Sequence, residues 1–554
     1  MRPRLPTTRT TAVLLAGLVQ LGCGDLASAP KDGGSTVPDA GTESPDAGSP
    51  LPSLVVAVDV SAPQGPVRDV FGVNKAPTLQ LRTGGAVDAT KLYDAFAVSQ
   101  VRLHDVGIDP CTIYKDATVR DLSVSPPRVV VGCTFPDIVK RRSWTVNDAS
   151  KVDDPSNYDF AKTDVLLAAA AKSGGKIYLR IGANDYGGPN DTGDVDSFAR
   201  VSINIYRHVI GRFKSAGISY DPVFVEVGNE PDGAFWRGDR ADFISAYNLM
   251  VDGVRTAASE AGKTVKVGGA GFTDTVLDAM TRTDNVAHGF VAGVTPARLD
   301  FFSAHHYDDC SAATLPSAAA ALSALRAKLS SEGIPTVPLH LTEWNIGLGN
   351  KCAAGDFTSA QSQSFASGML TLMQDGALDV SAAHFYSGMP PMSLFQSGAS
   401  VSEGLRITPS AWALRAHAGL RGGTLVKAEV CNGTEPCVSG AAGAGAPLVA
   451  VAGRRADGSH RVLVTNDSDT ARPFALRVSG LPAGTASATL RYPPSTEVTV
   501  EGTVTGNVFV PSDASVTAAL AKETSSTVSF PVSGAAGAVP LTLPARSVLA
   551  VDLP

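Results

Sequence analysis

The chain is 554 residues long, which exceeds the size of one ordinary domain and predicts two or three domains. Apolar residues make up 44% of the chain and charged residues 18%, a balance typical of a soluble globular protein. The formal net charge of −7 gives no indication of a nucleic-acid partner, and no apolar run reaches the roughly 18 to 20 residues that a membrane-spanning helix needs.

The first 53 residues are predicted to precede the folded part of the chain. Residues 1–23 combine three arginines with a short apolar run and no acidic residue, which indicates an export signal. This segment resembles a bacterial lipoprotein signal that would be cleaved and acylated at Cys23, although Gln20 stands where an aliphatic residue is usual. The predicted product is a cell-envelope lipoprotein whose only contact with a membrane is a lipid anchor at Cys23; the alternative is simple secretion. Residues 24–53 lack aromatics and are rich in Pro, Gly, Ser and Asp, which predicts a flexible linker.

The cysteine count agrees with export. The chain has seven cysteines, and setting Cys23 aside leaves six. In an oxidising compartment these are expected to form three disulfides. A zinc site is disfavoured because the spacings lack the tight pairs that zinc sites use. Six cysteines allow 15 connectivities, and pairing by proximity is one of them. The proximal pairs are Cys111 with Cys133, Cys310 with Cys352, and Cys431 with Cys437.

From residue 54 short apolar runs alternate with longer segments of helical periodicity. Several of these runs are apolar throughout, as expected for strands that are buried on both faces of a parallel sheet. Eight strand–helix repeats predict an α/β fold, a (β/α)8 TIM barrel over residues 54–420. The predicted strands are 70–74, 100–104, 176–182, 223–230, 265–269, 299–307, 338–344 and 381–386.

The pattern changes near residue 420. Short alternating strands separated by turn residues predict an all-β sandwich over residues 421–554. An early apolar run at residues 53–62 is a candidate to join this sandwich. A structural companion domain is favoured over a sugar-binding role.

Two glutamates end predicted barrel strands. Glu230 follows the fourth strand in "VFVEVGNEP", and Glu343 ends the seventh in "LHLTEWN". Because barrel chemistry takes place at the C-terminal ends of the strands, the two carboxylates are expected to face each other across the mouth. Two facing carboxylates are the minimal equipment for cleaving a glycosidic bond. A single strand-end glutamate is more often a surface salt-bridge partner, but two in matching positions favour catalysis.

Residues 66–420 resemble glycoside hydrolase family 39, which includes β-xylosidases and α-L-iduronidases and belongs to a clan of retaining (β/α)8 glycosidases. The resemblance rests on "GNEPDGAFWRGD" with the following helix and "VKVGGAG", on "DFFSAHHY", and on "TEWN". It implies retaining hydrolysis of an oligo- or polysaccharide, β-xylosidase-like or on a related plant or bacterial glycan, with no metal and no organic cofactor. A β-sandwich is also usual in the family.

The resemblance carries roles over to individual residues. Glu230 would be the general acid/base, which needs a raised pKa, and Glu343 the nucleophile. Asn229 would hydrogen-bond the 2-hydroxyl of the sugar. His305 and Tyr307 would orient the nucleophile and line the pocket, since period-two alternation places both on the same face of their strand.

Further residues are expected around this pair. Arg102 and His104 match an Arg-x-His pattern of the family, and Arg102 would lower the pKa of Glu343; the alternative for Arg102 is an ion pair in the barrel interior. Aromatic residues near the mouth are candidates for a sugar-stacking platform, with core packing as the alternative: Trp236, Trp344, Tyr307, Phe385 and Tyr386.

Three features depart from the family and affect the pocket wall. Asp105 stands where a glycine is usual, strand eight ends in "AHFYSG" without a tryptophan, and the loop "ANDYGGPND" has no counterpart. Two other functions therefore stay open: a catalytically inactive carbohydrate-binding surface lipoprotein, and an adhesion or scaffold protein.

Overall fold

A computed structural model describes residues 52–554 except for 82–83, 104–112, 122–124, 127, 131–141, 183–193, 214–218, 234, 237, 295, 311–314, 349–351, 391, 433–436, 440–447 and 534–535. The predicted signal at 1–23, its Cys23, nearly all of the linker at 24–53, and the pair Cys111 and Cys133 lie outside the described residues.

Eight parallel strands form a closed barrel. Each strand pairs with the next along the chain, and the eighth pairs with the first. The predicted (β/α)8 barrel is therefore confirmed, with every predicted strand present. The barrel strands are β1 Gly72–Asn74, β2 Gln100–Leu103, β3 Lys176–Ile181, β4 Phe224–Val227, β5 Lys266–Phe272, β6 Phe302–Tyr307, β7 Leu339–Asn345 and β8 Val380–Phe385.

β4 is shorter than its apolar pattern suggests. It ends at Val227 instead of residue 230, because Gly228 has a φ of +99° and Glu230 a φ of +43°, and neither is extended. The chain therefore turns out of the sheet just before the predicted catalytic residue.

Helices connect the strands and cover the barrel. The longest, Arg240–Glu260, buries Phe243, Tyr247 and Met250 at helical spacing and is followed by Gly262, whose φ of +66° suits a helix end. The helices are α1 Thr90–Ala95, α2 Ala161–Lys172, α3 Val195–Val209, α4 Arg240–Glu260, α5 Val276–Ala279, α6 Phe290–Val294, α7 Leu315–Ser331, α8 Ala360–Leu372, α9 Pro409–Ala418 and α10 Asp513–Leu520. Short 3-10 turns lie at Ala149–Lys151, Pro155–Asn157, Pro296–Arg298, Ala354–Thr358 and Val401–Glu403.

The C-terminal region is β-rich, as predicted, but it also contains the short helix α10; its main sheet has ten strands wrapped around an apolar core. Leu54–Pro66 pairs with Arg472–Ser479 on one side and with Thr424–Asn432 on the other, which closes the sheet on itself. The early run at residues 53–62 therefore joins the C-terminal sheet, as its candidate assignment had it, although the domain boundary at residue 54 placed it in the barrel segment. In spatial order the strands are Leu54–Pro66, Arg472–Ser479, Ala536–Leu543, Thr524–Ser533, Gly484–Tyr492, Ser547–Leu553, His460–Asn466, Leu448–Arg454, Thr424–Asn432 and Val438–Ser439.

Three small sheets complete the structure. One links the C-terminal region to the barrel segment and contains Gly502–Thr505, Val508–Pro511, Ala86–Asp88 and Thr78–Gln80. A second also joins the two regions and contains Phe395–Ser397, Leu405–Ile407 and Val498–Val500. The third lies in the insertion between β2 and β3 and contains Ala117–Asp121, Arg128–Val130 and Arg142–Val146.

Two of the three predicted disulfides lie in the described residues, and both are confirmed: Cys310 with Cys352, and Cys431 with Cys437. Disulfides are typical of an oxidising environment. In the part of the chain that the structure describes, no helix combines the length and apolarity needed to cross a membrane.

Candidate active site

Polar side chains converge at the C-terminal ends of the barrel strands. A carboxylate oxygen of Glu230, a carboxylate oxygen of Glu343 and a ring nitrogen of His305 all lie within 4.8 Å of one another. The structure thus brings the two predicted glutamates together, although they are far apart in the sequence. Glu230 is the more open of the two, with 21% of its side chain exposed against 6% for Glu343.

The turn after β4 sets the position of Glu230. Its backbone adopts a φ of +43°, a left-handed conformation that costs a non-glycine residue roughly 1–2 kcal/mol. The backbone N–H of Glu230 donates to the carbonyl of Gly271, on β5, at 2.7 Å. This strained turn directs the Glu230 side chain towards the barrel mouth.

Glu343, on β7, is held at both carboxylate oxygens. The Nη1 of Arg102 donates to Oε1 at 2.9 Å, and the hydroxyl of Tyr307 donates to Oε2 at 2.6 Å. Burial and the charge of Glu343 raise the pKa of the Tyr307 hydroxyl well above its usual value, so Tyr307 keeps the proton that it donates. Such donors orient a carboxylate and favour its charged form.

Arg102, on β2, is fully buried, and all three of its guanidinium nitrogens contact acceptors. Besides Glu343, its partners are Glu226 on β4, through Nε at 2.7 Å and Nη2 at 2.6 Å, and the side-chain oxygens of Asn74 and Asn229 at 2.8 and 2.9 Å. Burial alone would lower the pKa of Arg102, but Glu226 and Glu343 raise it above its usual value. Arg102 therefore matches both interpretations, since it contacts the predicted nucleophile Glu343 and also forms an interior ion pair with Glu226.

The Arg102 contacts also fix the orientation of Asn229. A guanidinium has only donors, so the oxygen of the Asn229 amide must face Arg102, and its NH2 group points elsewhere. Asn74 is fixed in the same way, and its NH2 donates to the carbonyls of Thr342 and His384. Asn229 therefore keeps an oriented donor next to Glu230.

His305, on β6, connects the two glutamates. Its Nδ1 lies 2.8 Å from Oε1 of Glu230 and 3.6 Å from Oε2 of Glu343. Burial raises the pKa of Glu230, and the contact with His305 only partly offsets this effect. Burial alone would lower the pKa of His305, but Glu343 and Glu230 outweigh it and raise that pKa. Glu230 is thus a carboxyl group that retains a proton more readily than an exposed glutamate does.

The contacts on β6 show which of its two histidine side chains points into the site. His305 and Tyr307 both reach the glutamates, as the alternation predicted, and His306 is buried with a pKa lowered by its burial. His104, the other residue of the Arg-x-His pattern, lies outside the described residues.

The aromatic residues separate into two groups. Trp344 is fully buried and packs edge-on against Phe385 at 5.0 Å, so it presents no ring face to a sugar. Trp236 is 8% exposed and packs against Phe198 and Phe243. The prediction that Trp236 and Trp344 belong to a sugar-stacking platform is therefore wrong, because both pack in the core. Tyr386 is half-buried and lies 6.1 Å from the ring of Tyr307, at the site itself.

In the described part of the chain, two groups of side chains have spacings that a metal could use. The first is Glu230 with His305 and Glu343, but the guanidinium of Arg102, 2.9 Å from Glu343, makes this place unfavourable for a cation. The second is Cys310 with Cys352 and Asp356, where both sulfurs are joined in the disulfide and are not thiolate ligands.

Three described residues support the site although the sequence did not single them out. Asn74 ends β1, Glu226 precedes Glu230 by four residues, and Asn345 ends β7, where its NH2 donates to the carbonyls of Tyr386 and Met392. A signal was present for Glu226, since a single charge within the buried run "VFVEV" requires a partner. Asn74 was visible only as the end of a predicted strand, and Asn345 only as the residue after one.

No model of a known protein family matches the chain, and no curated protein matches it either. Solved structures do. A glucosidase from Croceicoccus marinus has a TM-score of 0.60 at 17% identity, covering 91% of this chain and 99% of that chain. A GH51 α-L-arabinofuranosidase from Thermotoga petrophila has a TM-score of 0.59 at 16% identity, covering 90% and 100%. A GH39 enzyme from Xanthomonas axonopodis pv. citri has a TM-score of 0.55 at 15% identity, covering 91% and 97%. The resemblance to family 39 and its barrel relatives is thus confirmed for the fold.

Proposed function

We propose that the protein is an exported glycoside hydrolase that cleaves O-glycosidic bonds with retention of configuration. The observation that carries this proposal is the approach of Glu230 and Glu343, whose carboxylate oxygens lie within 4.8 Å. Retaining glycosidases hold their carboxyl groups about 5–5.5 Å apart, whereas inverting enzymes leave about 6.5–9.5 Å for a water molecule. The shared fold with glycosidases agrees with this reaction class.

In the first step Glu343 attacks the anomeric carbon while Glu230 gives its proton to the departing oxygen. The raised pKa of Glu230 suits the acid, and the two donors on Glu343 orient the nucleophile. The bond between the anomeric carbon and the leaving oxygen breaks as the glycosyl ester to Glu343 forms. Asn229, whose NH2 is directed away from Arg102, would donate to the sugar 2-hydroxyl.

In the second step water hydrolyses the glycosyl ester. Glu230 is now a carboxylate and accepts a proton from the water, which attacks the anomeric carbon from the side that the leaving group occupied. Glu343 leaves as a carboxylate, and Glu230 ends protonated as it began. Two inversions give net retention. His305 contacts Glu230 throughout and accommodates its change of charge.

The substrate proposed first is a β-xyloside, as family 39 suggests, or a related plant or bacterial glycan. Export is proposed from residues 1–23, with a lipid anchor at Cys23, and the two disulfides agree with an oxidising destination. The alternative is a carbohydrate-binding surface lipoprotein without catalysis.

Sugar release from a panel of substrates tests the proposal. Aryl xylosides and xylan lead the panel, followed by aryl arabinofuranosides, glucosides and bacterial polysaccharides. We expect turnover on at least one member, with Glu343→Ala reducing it by ~10³-fold or more because the covalent route is lost. Proton NMR of the first sugar released should give the anomer of the substrate.

Azide as an external nucleophile distinguishes the proposed roles of the two glutamates. In Glu343→Ala it would attack from the nucleophile's side and give a glycosyl azide of inverted configuration, and in Glu230→Ala it would replace the water and give a retained one. Glycan binding without turnover, equal in wild type and Glu343→Ala, would support the binding protein instead. Release of the opposite anomer by the wild type would reject retention.

A further inference from the structure

We propose that Glu226 is a positioning residue that orients Arg102, shares its positive charge with Glu343 and so sets the ionisation of Glu343; this inference rests on the proposed function. Glu226 lies on β4, is fully buried and does not reach the barrel mouth. It therefore acts on the reaction only through Arg102.

The geometry fixes the guanidinium from one end. Glu226 Oε2 accepts from Nε at 2.7 Å and lies 2.6 Å from Nη2, which orients the plane of Arg102. Nη1, at the opposite end, is thereby directed at Asn74 and Glu343. A guanidinium is rigid and planar, so a rotation at the Glu226 end would move the hydrogen bond at the Glu343 end.

The charges give Glu226 a second effect. The buried cation Arg102 lies between two buried carboxylates, so its positive charge is shared between Glu343 and Glu226. A neutral residue in place of Glu226 would leave the full charge of Arg102 to Glu343. The carboxylate of Glu343 would then be a weaker nucleophile, because the cation that orients it would also stabilise its negative charge more strongly.

The surroundings keep Glu226 close to Arg102. Gly271 lacks a side chain here, and a Cβ at this position would lie 3.2 Å from Oε1 of Glu226 and 3.5 Å from Nη2 of Arg102. Among the described residues Oε1 of Glu226 has no hydrogen-bond partner, whereas Oε2 accepts from Arg102. The titratable and charged groups around this pair come from five elements: Tyr178 and Arg180 on β3, Tyr247 on α4, His305 on β6, Glu343 on β7 and His384 on β8.

The first test measures ionisation directly. The protein is labelled with [δ-¹³C]glutamate, and the carboxyl resonance of Glu343 is assigned by its loss in Glu343→Gln. We expect Glu226→Gln to lower the pH midpoint of this resonance by on the order of one unit, since a nearby negative charge has been removed. Glu226→Asp keeps the charge and should keep the midpoint close to that of the wild type.

The second test measures turnover on the best substrate of the panel. Glu226→Gln should lower kcat by about tenfold with KM within about twofold, and shift the acid limb of kcat/KM down with the midpoint. Glu523→Gln is the matched control, because it removes another mostly buried carboxylate that contacts two arginines, Arg415 on α9 and Arg491 in the C-terminal sheet. It should leave the midpoint and kcat unchanged.

The outcomes separate the inference from the proposed function. An unchanged midpoint in folded Glu226→Gln, with any loss seen only in melting temperature, would reduce Glu226 to a structural role and overturn the inference. If Glu226→Gln does not fold, Glu226→Asp tests the orienting contacts, because its shorter side chain keeps the charge but withdraws from Nε and Nη2 of Arg102. Lower kcat with unchanged KM and midpoint then supports the inference, and unchanged kcat contradicts it. If the wild type cleaves nothing, the proposed function fails, while the ¹³C midpoint still decides whether Glu226 acts on Glu343.

Discussion

The junction between the barrel and the C-terminal sheet is expected to weaken as the pH falls, because of His417. This residue lies on α9, is 1% exposed, and has its Nε2 2.9 Å from the hydroxyl of Ser367. Ser367 in turn lies 2.7 Å from the hydroxyl of Thr465 in the sheet. Burial, with a smaller contribution from the charge of Arg461, lowers the pKa of His417 to about 3.

The sign and size of the effect follow from proton uptake. Below about pH 6.5 the unfolded chain protonates His417, whereas the folded protein takes up this proton only near pH 3. Stability contributed by the neutral histidine is therefore present above pH 6.5 and is lost as the pH falls towards 3. The slope is about 1.4 kcal/mol per pH unit, so the free energy of unfolding falls by about 2 kcal/mol between pH 6.5 and 5.

Urea unfolding of the wild type and of His417→Gln, at pH 7.5 and pH 5.0, measures this loss. Glutamine keeps a hydrogen-bonding group near Ser367 and does not titrate, so its structural cost appears equally at both pH values. We expect the wild type to lose about 2 kcal/mol more than the variant between the two pH values. His340 and His384, whose pKa values burial also lowers, are present in both proteins and cancel. Equal losses in the two proteins would refute the reasoning.

Three further predictions concern the site and its loops. Gly271→Ala adds a Cβ 3.2 Å from Oε1 of Glu226 at a φ of +59°, so kcat should fall at least about tenfold and the melting temperature should drop; wild-type values for both would show that the cluster tolerates the methyl group. Tyr307→Phe removes one of the two donors to the proposed nucleophile, and the acid limb of the pH profile should move up, whereas a downward shift would contradict the assigned hydrogen bond. The disulfide between Cys310 and Cys352 closes a separation of 42 residues, so replacing both cysteines by serine should cost about 4 kcal/mol of unfolding free energy in urea, and an unchanged unfolding midpoint would contradict this.

The fold could be predicted from the sequence because its signals are local. Barrel strands buried on both faces produce apolar runs, and turn residues separate them, so all eight could be placed without knowing their partners. The strand Leu54–Pro66 was harder to assign, since its partners lie more than 350 residues later in the chain. Nothing local in an alternating strand says which of two sheets it joins.

The site was predicted in part for the same reason. Glu230 and Glu343 each stand at a strand end, which is a local feature, but the contacts of Arg102 depend on four different strands and cannot be read from any one of them. Trp344 is instructive, because it follows Glu343 directly on β7. Adjacent residues of a strand point to opposite faces, so an inward Glu343 places Trp344 among the covering helices. That alternation was available in the sequence.

Arg102 explains why the interior and the reacting end of this barrel cannot be considered separately. A buried guanidinium is expensive to desolvate and is stable only when all its donors are used, and here Glu226 and Asn74 provide part of that compensation within the barrel. The remaining donors reach Asn229 and Glu343, two of the residues proposed to contact the sugar. Because the same guanidinium satisfies the buried charge and orients the proposed nucleophile, a substitution that loosens the interior ion pair must also change the site. Stability and turnover are therefore expected to change together for Arg102, whereas for His417 only stability should change.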